Sequence, residues 1–222
     1  MNKYILSLLI IISGLAFSCN KHDINNTDEN VGISRVIFFP IVELNGSSLM
    51  VIDKGTTFTD PGVNATVNGE PVTPTITGSV NTSANGIYYL KYSAVNADGF
   101  SASADRIIIV KNATAVAPDY SGNWQRNAGA FGVSRWIQLT PTTYAVSDPG
   151  GANYTNFWVI VTVSGTTPVI PAQNVPQQLG GAPTSINSIS SGAFTGTTTG
   201  SRYNWAINTS GFGTGNRTFV KQ

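Results

Sequence analysis

Few residues in this chain can do chemistry, and their positions decide which reactions are open to it. Cys19 is the only cysteine and His22 the only histidine among 222 residues. His22 lies three residues from Cys19, far ahead of any stretch able to fold, so no Ser-His-Asp site, Cys-His site or His-based zinc site can be assembled in the folded body. A lone thiol also leaves nothing for a disulfide or a thiolate metal site. Hydrolysis of a glycosidic bond would need two carboxylates about 5 to 10 Å apart. Beyond residue 118 only Asp119 and Asp148 are available, the second within Asp148-Pro149-Gly150-Gly151, which reads as a turn. Asp53, Asp60, Glu70, Asp98 and Asp105 also fall at or near expected turns. Asp60-Pro61-Gly62 lacks a nearby acidic partner and reads as a turn, not a cation site. The chain is therefore expected to be no enzyme and to carry no cofactor and no metal; carboxylates from distant turns meeting in one cleft would reopen the enzymatic reading.

Binding has more residues behind it. Trp124, Trp136, Tyr144, Tyr154 and Trp205 stand among many Asn, Gln, Ser and Thr residues and are the expected ligand-binding set. Aromatic faces stack on sugar rings while amides and hydroxyls read the rim, and exposed aromatics also anchor protein interfaces. A disulfide-free domain needs large aromatics in its core as well. Tyr154 and Trp124, beside turns and polar neighbours, are expected to be exposed, whereas Trp158, inside an apolar strand, is expected to be buried.

The elements that position these residues begin with an address. Asn2-Lys3, the apolar run from Ile5 to Ile12 and the segment to Ser18 have the order of a signal peptide, residues 1–18. The run falls short of the roughly 20 residues a spanning helix needs. Leu15-Ala16-Phe17-Ser18-Cys19 resembles the bacterial lipobox, with Phe17 departing from its commonest pattern. The resemblance implies that Cys19 is lipidated and is the membrane contact; an ordinary secreted protein with a stray cysteine is the alternative. Two or more acyl chains, at about 0.8 kcal/mol per CH₂, hold a protein firmly on a bilayer. Residues 19–30 are too polar to bury anything and read as a flexible tether. Asp23, Asp28 and Glu29 make the tether acidic, which resembles the export signal of Bacteroidota surface lipoproteins and implies an outer-membrane, lipid-anchored location facing the cell exterior.

Beyond the tether the chain reads as all-β. Only 10% of residues are charged, and β-branched and aromatic runs alternate with Gly, Pro, Asn and Asp. Loss of Lys3 with the signal leaves 11 basic and 11 acidic side chains, so nothing provides the basic face that a nucleic-acid partner requires. A small-residue link at 111–118 separates an expected domain 31–111 from another at 118–222, and all four tryptophans follow it.

In the first domain strands are expected at Arg35–Phe39, ahead of Pro40, and at Leu49–Ile52. From Tyr88 the chain alternates, with Tyr88, Leu90, Tyr92 and Ala94 on one face, and Arg106–Val110 is apolar on both faces. Gly55-x-x-Phe58-x-Asp60-Pro61-Gly62-x-x-Ala65, then Gly86-x-Tyr88-x-Leu90-x-Tyr92-x-Ala94-x-Asn96-x-x-Gly99, then Arg106-x-Ile108-x-Val110 resembles the bacterial surface immunoglobulin-like domain. That resemblance implies a β-sandwich acting as a spacer or docking module. In the second domain strands are expected at Arg135–Leu139, at Thr143–Ser147, at Phe157–Val163 as the central one, at Ile186–Thr199 paired with Ser201–Asn208, and at Arg217–Val220. They imply a small antiparallel sandwich or a partly closed barrel. The arrangement resembles the C-terminal domain of Bacteroidota lipoproteins that accompany outer-membrane nutrient importers. A non-enzymatic surface lipoprotein follows, its second domain contacting a glycan, a peptide or an importer, with a structural or adhesive surface component as the alternative.

Overall fold

A computed structural model describes residues 30–31, 34–154, 156–176, 184–209 and 214–222. Cys19 and His22, with the signal and almost all of the tether, lie outside the described residues. Those described contain strands and no helix. β1 (Asn30–Val31) and β2 (Ser34–Arg35) pair antiparallel within a unit that ends at Phe38. A second unit runs from Phe39 to Gln222.

That second unit opens with a sandwich. Its strands are β3 (Pro40–Leu44), β4 (Leu49–Asp53), β5 (Val63–Val67), β6 (Glu70–Pro71), β7 (Thr75–Thr77), β8 (Gly86–Val95) and β9 (Ser101–Lys111). They form one sheet of order β3-β5-β6 and another of order β4-β9-β8-β7, in which β4 and β9 run parallel. The expected strand Arg35–Phe39 is corrected: residues 36–39 carry no strand, and the ladder starts at Pro40, pairing with Val67. Proline has no N–H to donate and fits the first position of a strand. On β8 the alternation is as expected, with Leu90, Tyr92 and Ala94 buried. Leu90, Tyr92, Ile108 and Val110 form the sandwich core with Val42, Leu44, Met50, Ile52 and Val63.

The rest of the unit is a single antiparallel sheet. Its strands are β10 (Gly122–Arg126), β11 (Val133–Thr140), β12 (Thr143–Ser147), β13 (Trp158–Ser164), β14 (Thr167–Val169), β15 (Gln173–Val175), β16 (Thr184–Gly192), β17 (Arg202–Asn208) and β18 (Arg217–Lys221). The spatial order is β14-β13-β12-β11-β10-β18-β17-β16-β15. The sheet curls until its ends meet, Ser188 N–H donating to the Ile170 carbonyl at 3.0 Å and Phe194 N–H to the Thr166 carbonyl at 2.7 Å. The partly closed barrel is thus the form taken. β13, expected to be central, lies beside the end strand β14, and β10 takes the middle position because β18 returns to pair with it. The expected hairpin forms between β16 and β17, but residues 193–201 between them are a connection, which carries the buried Phe194.

β9 explains its own composition. Successive side chains on a strand point to opposite faces, so Ile108 and Val110 enter the sandwich core while Ile107 and Ile109 enter another apolar layer with Ile137, Leu139, Ala145 and Trp158 of the barrel. Leu49, Ile87, Tyr89 and Ile160 extend that layer. The barrel strands β11 to β13 therefore bury both faces as well, one inward and one against the sandwich.

Candidate binding site

The five aromatic candidates divide sharply. Trp124, Trp136, Tyr144 and Trp205 are at most 1% exposed and fill the barrel interior with Tyr203, Phe194 and Phe219. Their polar handles are all used within the protein. The Trp124 indole N–H donates to the Tyr120 carbonyl at 2.9 Å, that of Trp136 to the Tyr203 hydroxyl at 3.2 Å, and that of Trp205 to the Pro149 carbonyl at 2.9 Å. The Tyr144 hydroxyl donates to the Pro118 carbonyl and accepts from Gln138. A ligand could meet these rings only if the barrel opened. The expected exposure of Trp124 is corrected: β10 is the middle strand, and while Asn123 faces out, Trp124 takes an inward position beneath the Lys221 ammonium, 5.3 Å from its ring. Trp158 is buried as expected, at 2% exposure.

Tyr154 is the exception, at 53% exposure. It sits in the β12–β13 connection, and the β10–β11 connection beside it carries Phe131, 57% exposed, followed by Val133 at 41%. Two loops usually move independently. These two are tied through Asp148, a residue with φ of +42° and 2% exposure. Its carboxylate accepts the N–H groups of Ala152 at 2.9 Å and Asn153 at 2.7 Å, while its carbonyl accepts the Ser134 hydroxyl at 2.6 Å. The Asn153 side-chain amide donates to the Ala130 carbonyl across the gap at 3.1 Å, and Gly132 N–H donates to the Gly151 carbonyl at 3.1 Å. Gly132 cannot be another residue, since a Cβ there would run into the Gly151 backbone and the Asp148 carboxylate.

Strain concentrates at this knot. Of the four non-glycine residues with positive φ among those described, Phe131, Asp148 and Asn153 belong to it, the fourth being Asn68. Each such conformation costs about 1–3 kcal/mol and persists only where surrounding contacts impose it. Burial pushes the Asp148 carboxyl up, while the N–H groups of Ala152, Asn153 and Tyr154 and the Arg126 guanidinium pull it down. Arg126 donates to the Gly150 carbonyl at 3.4 Å, and its charge, after burial, lowers the pKa of Arg217. The two loops present a hydrogen-bonded, mainly apolar edge with the Arg126 guanidinium at its Gly150 carbonyl. The exposure expected of Tyr154 from its place beside a turn is observed, while Phe131, equally exposed, was not singled out; its signal was the glycine pair Gly129 and Gly132 around an aromatic residue.

Three further carboxylates have structural partners. Asp60 accepts from Gly62 N–H and the Tyr92 hydroxyl and lies 3.6 Å from Arg106, Asp53 is 2.7 Å from Lys111, and Asp119 accepts from Ser121 N–H. Among the described residues no three His, Cys, Asp or Glu side chains stand close enough to hold a metal ion.

Known proteins place the fold. Residues 42–110 match the family model "Bacterial surface protein, Ig-like domain", which spans the sandwich from β3 to β9 and not the barrel. A lipoprotein of Bacteroides thetaiotaomicron, known from its crystal structure, is similar to 83% of this chain over 100% of its own length, at 24% identity and a TM-score of 0.55. The M60 catalytic domain with two CBM51 domains from Clostridium perfringens ZmpB aligns with 84% of this chain and 21% of that one, at 15% identity; its TM-score of 0.29 carries no argument. No curated protein matches the sequence.

Proposed function

We propose that this chain is a non-enzymatic cell-surface binding protein, anchored in the outer membrane through lipid on Cys19, which recognises an apolar segment of a peptide or partner protein with the barrel-end edge of Phe131 and Tyr154. The surface location draws support from the matched Ig-like domain. The observation that carries the binding role is the tying of two exposed aromatics into one strained, hydrogen-bonded knot. Rigid aromatics lose little entropy on binding and dominate interface energetics, with Arg as their usual companion. Aromatics exposed by accident would not require three left-handed residues and a Cβ-free glycine to hold them. The sandwich packs on the barrel through the shared apolar layer.

The test is a peptide-display selection against the full chain, followed by affinity measurement on Tyr154→Ala and Phe131→Ala. Each truncation is expected to weaken the selected peptides by at least 2 kcal/mol, as interface hot spots do. Peptides that bind both variants as well as the unaltered chain would refute the assignment.

A further inference from the structure

At the rim of the apolar layer shared by sandwich and barrel lies a cleft of about 500 Å³ between the start of β8 and the strands β11 to β13, with β15 as its far wall. Its size falls within the ~300–1,000 Å³ of small-molecule sites, which also favour the junctions between domains. The lining contains tyrosines, a tryptophan, amides and threonine hydroxyls, and among the described residues not one charged side chain. A neighbouring groove of about 370 Å³ on another side of the junction has both Lys111 and Arg135 in its wall.

The walls are held firmly. Gln173 clamps the β13 backbone, its amide donating to the Ile160 carbonyl at 2.7 Å and accepting the Ile160 N–H at 2.8 Å. Tyr89 and Trp158 belong to the shared layer, so both halves of the unit position them. Polar capacity is left over within this frame. The Asn85 amide donates to Asn112 at 2.8 Å, yet its buried Oδ1 has no hydrogen-bond partner. Burial pushes the Tyr89 hydroxyl well above the ordinary tyrosine value, so it stays a neutral donor. Asn174, Thr140 and Thr143 add amide and hydroxyl groups at the rim.

This lining selects its occupant by elimination. A charged ligand would be desolvated with no counter-charge to meet it. A purely apolar ligand would leave the Asn85 Oδ1 still without a partner and would strip water from the threonine hydroxyls. A neutral, polyhydroxylated ring with an apolar face satisfies both groups, stacking on tyrosine while its hydroxyls meet the amides. We infer that this cleft binds a neutral saccharide of one or two sugar units. The inference stands independently of the peptide-binding edge, which lies on other loops.

Calorimetric titration of the full chain with glucose, galactose, N-acetylglucosamine, maltose, cellobiose and lactose, with galacturonate as the charged comparison, tests it at millimolar concentrations. At least one neutral sugar is expected to bind and galacturonate to bind at least tenfold more weakly. Asn85→Ala and Tyr89→Phe should each weaken the neutral sugar about tenfold, the upper range for one lost hydrogen bond, and Thr143→Val on the rim provides a third variant that keeps its volume should either of the others fail to fold. Tyr154→Ala should leave sugar affinity unchanged, which separates this site from the barrel-end edge. Absence of binding by every neutral sugar, equal binding of galacturonate, or sugar affinity unmoved by the cleft variants that fold would each overturn the proposal.

Discussion

At the scale of single residues, the most consequential side chain is one whose sequence context suggested only a strand. Arg106 is 0% exposed in the sandwich core. Its guanidinium donates to the Asn45 and Gly62 carbonyls at 2.9 Å each, lies 3.6 Å from the Asp60 carboxylate and sits 5.7 Å above the Tyr92 ring. Breaking a buried pair costs more than forming it gains, because the surviving partner is left uncompensated. Arg106→Met should therefore destabilise the fold by about 3 kcal/mol, the low end of such losses, since Asp60 keeps 25% exposure; an unchanged urea midpoint would reject this role. Burial, and then the hydrogen bond to Asp60, push the Tyr92 hydroxyl up to about 12. An unfolded tyrosine ionises near ~10. Between these values the unfolded chain loses a proton that the folded chain retains, so stability is complete below about pH 10 and declines as pH rises towards 12. Urea midpoints measured on either side of that window should fall less for Tyr92→Phe than for the unaltered chain, and parallel curves would contradict the assignment.

At the scale of elements, β18 determines whether the barrel exists. It pairs with β10 on one side and β17 on the other, so it supplies the ladder that joins the two meanders on the side opposite the Ser188–Ile170 contact. Phe219 projects from it into the interior at 0% exposure, stacked on Tyr203 with ring centroids 5.0 Å apart. Phe219→Ala removes a ring that the surrounding aromatics cannot replace and should cost about 3–5 kcal/mol, measured by chemical denaturation; a loss below ~1 kcal/mol would mean that the interior collapses around the gap. The strand itself was legible in Arg217-Thr218-Phe219-Val220. Its partner was not, because pairing Gln125 with Val220 joins residues nearly a hundred positions apart, and periodicity carries no information about such separations.

At the scale of the whole molecule, the sandwich and barrel share one compact unit. Interfaces between domains are usually polar and permit relative motion. Here Ile107, Ile109, Ile137, Leu139, Ala145 and Trp158 bury a continuous apolar layer. Calorimetry should therefore show a single cooperative transition for the region from Phe39 onward. Ile109→Glu, which places a charge in that layer without a partner, should lower the transition and split it in two. Two separated transitions in the unaltered chain would show that the halves melt independently.

The sequence by itself determined what is local or compositional. The alternation on β8, the turns, the absence of histidine from the folded body and the motif of the sandwich are each written within a few residues or a count. Tertiary structure decided which aromatics a ligand can reach. Trp124 and Tyr154 both stand among polar residues beside turns, yet one is sealed within a barrel and the other exposed at its end. A strand's period states that two faces differ, and only closure of the sheet states which face becomes the inside. The same reason hid the second face of β9. Ile107 and Ile109 announced that something must cover them, and the barrel that does so comes from a part of the chain that no local pattern connects to them.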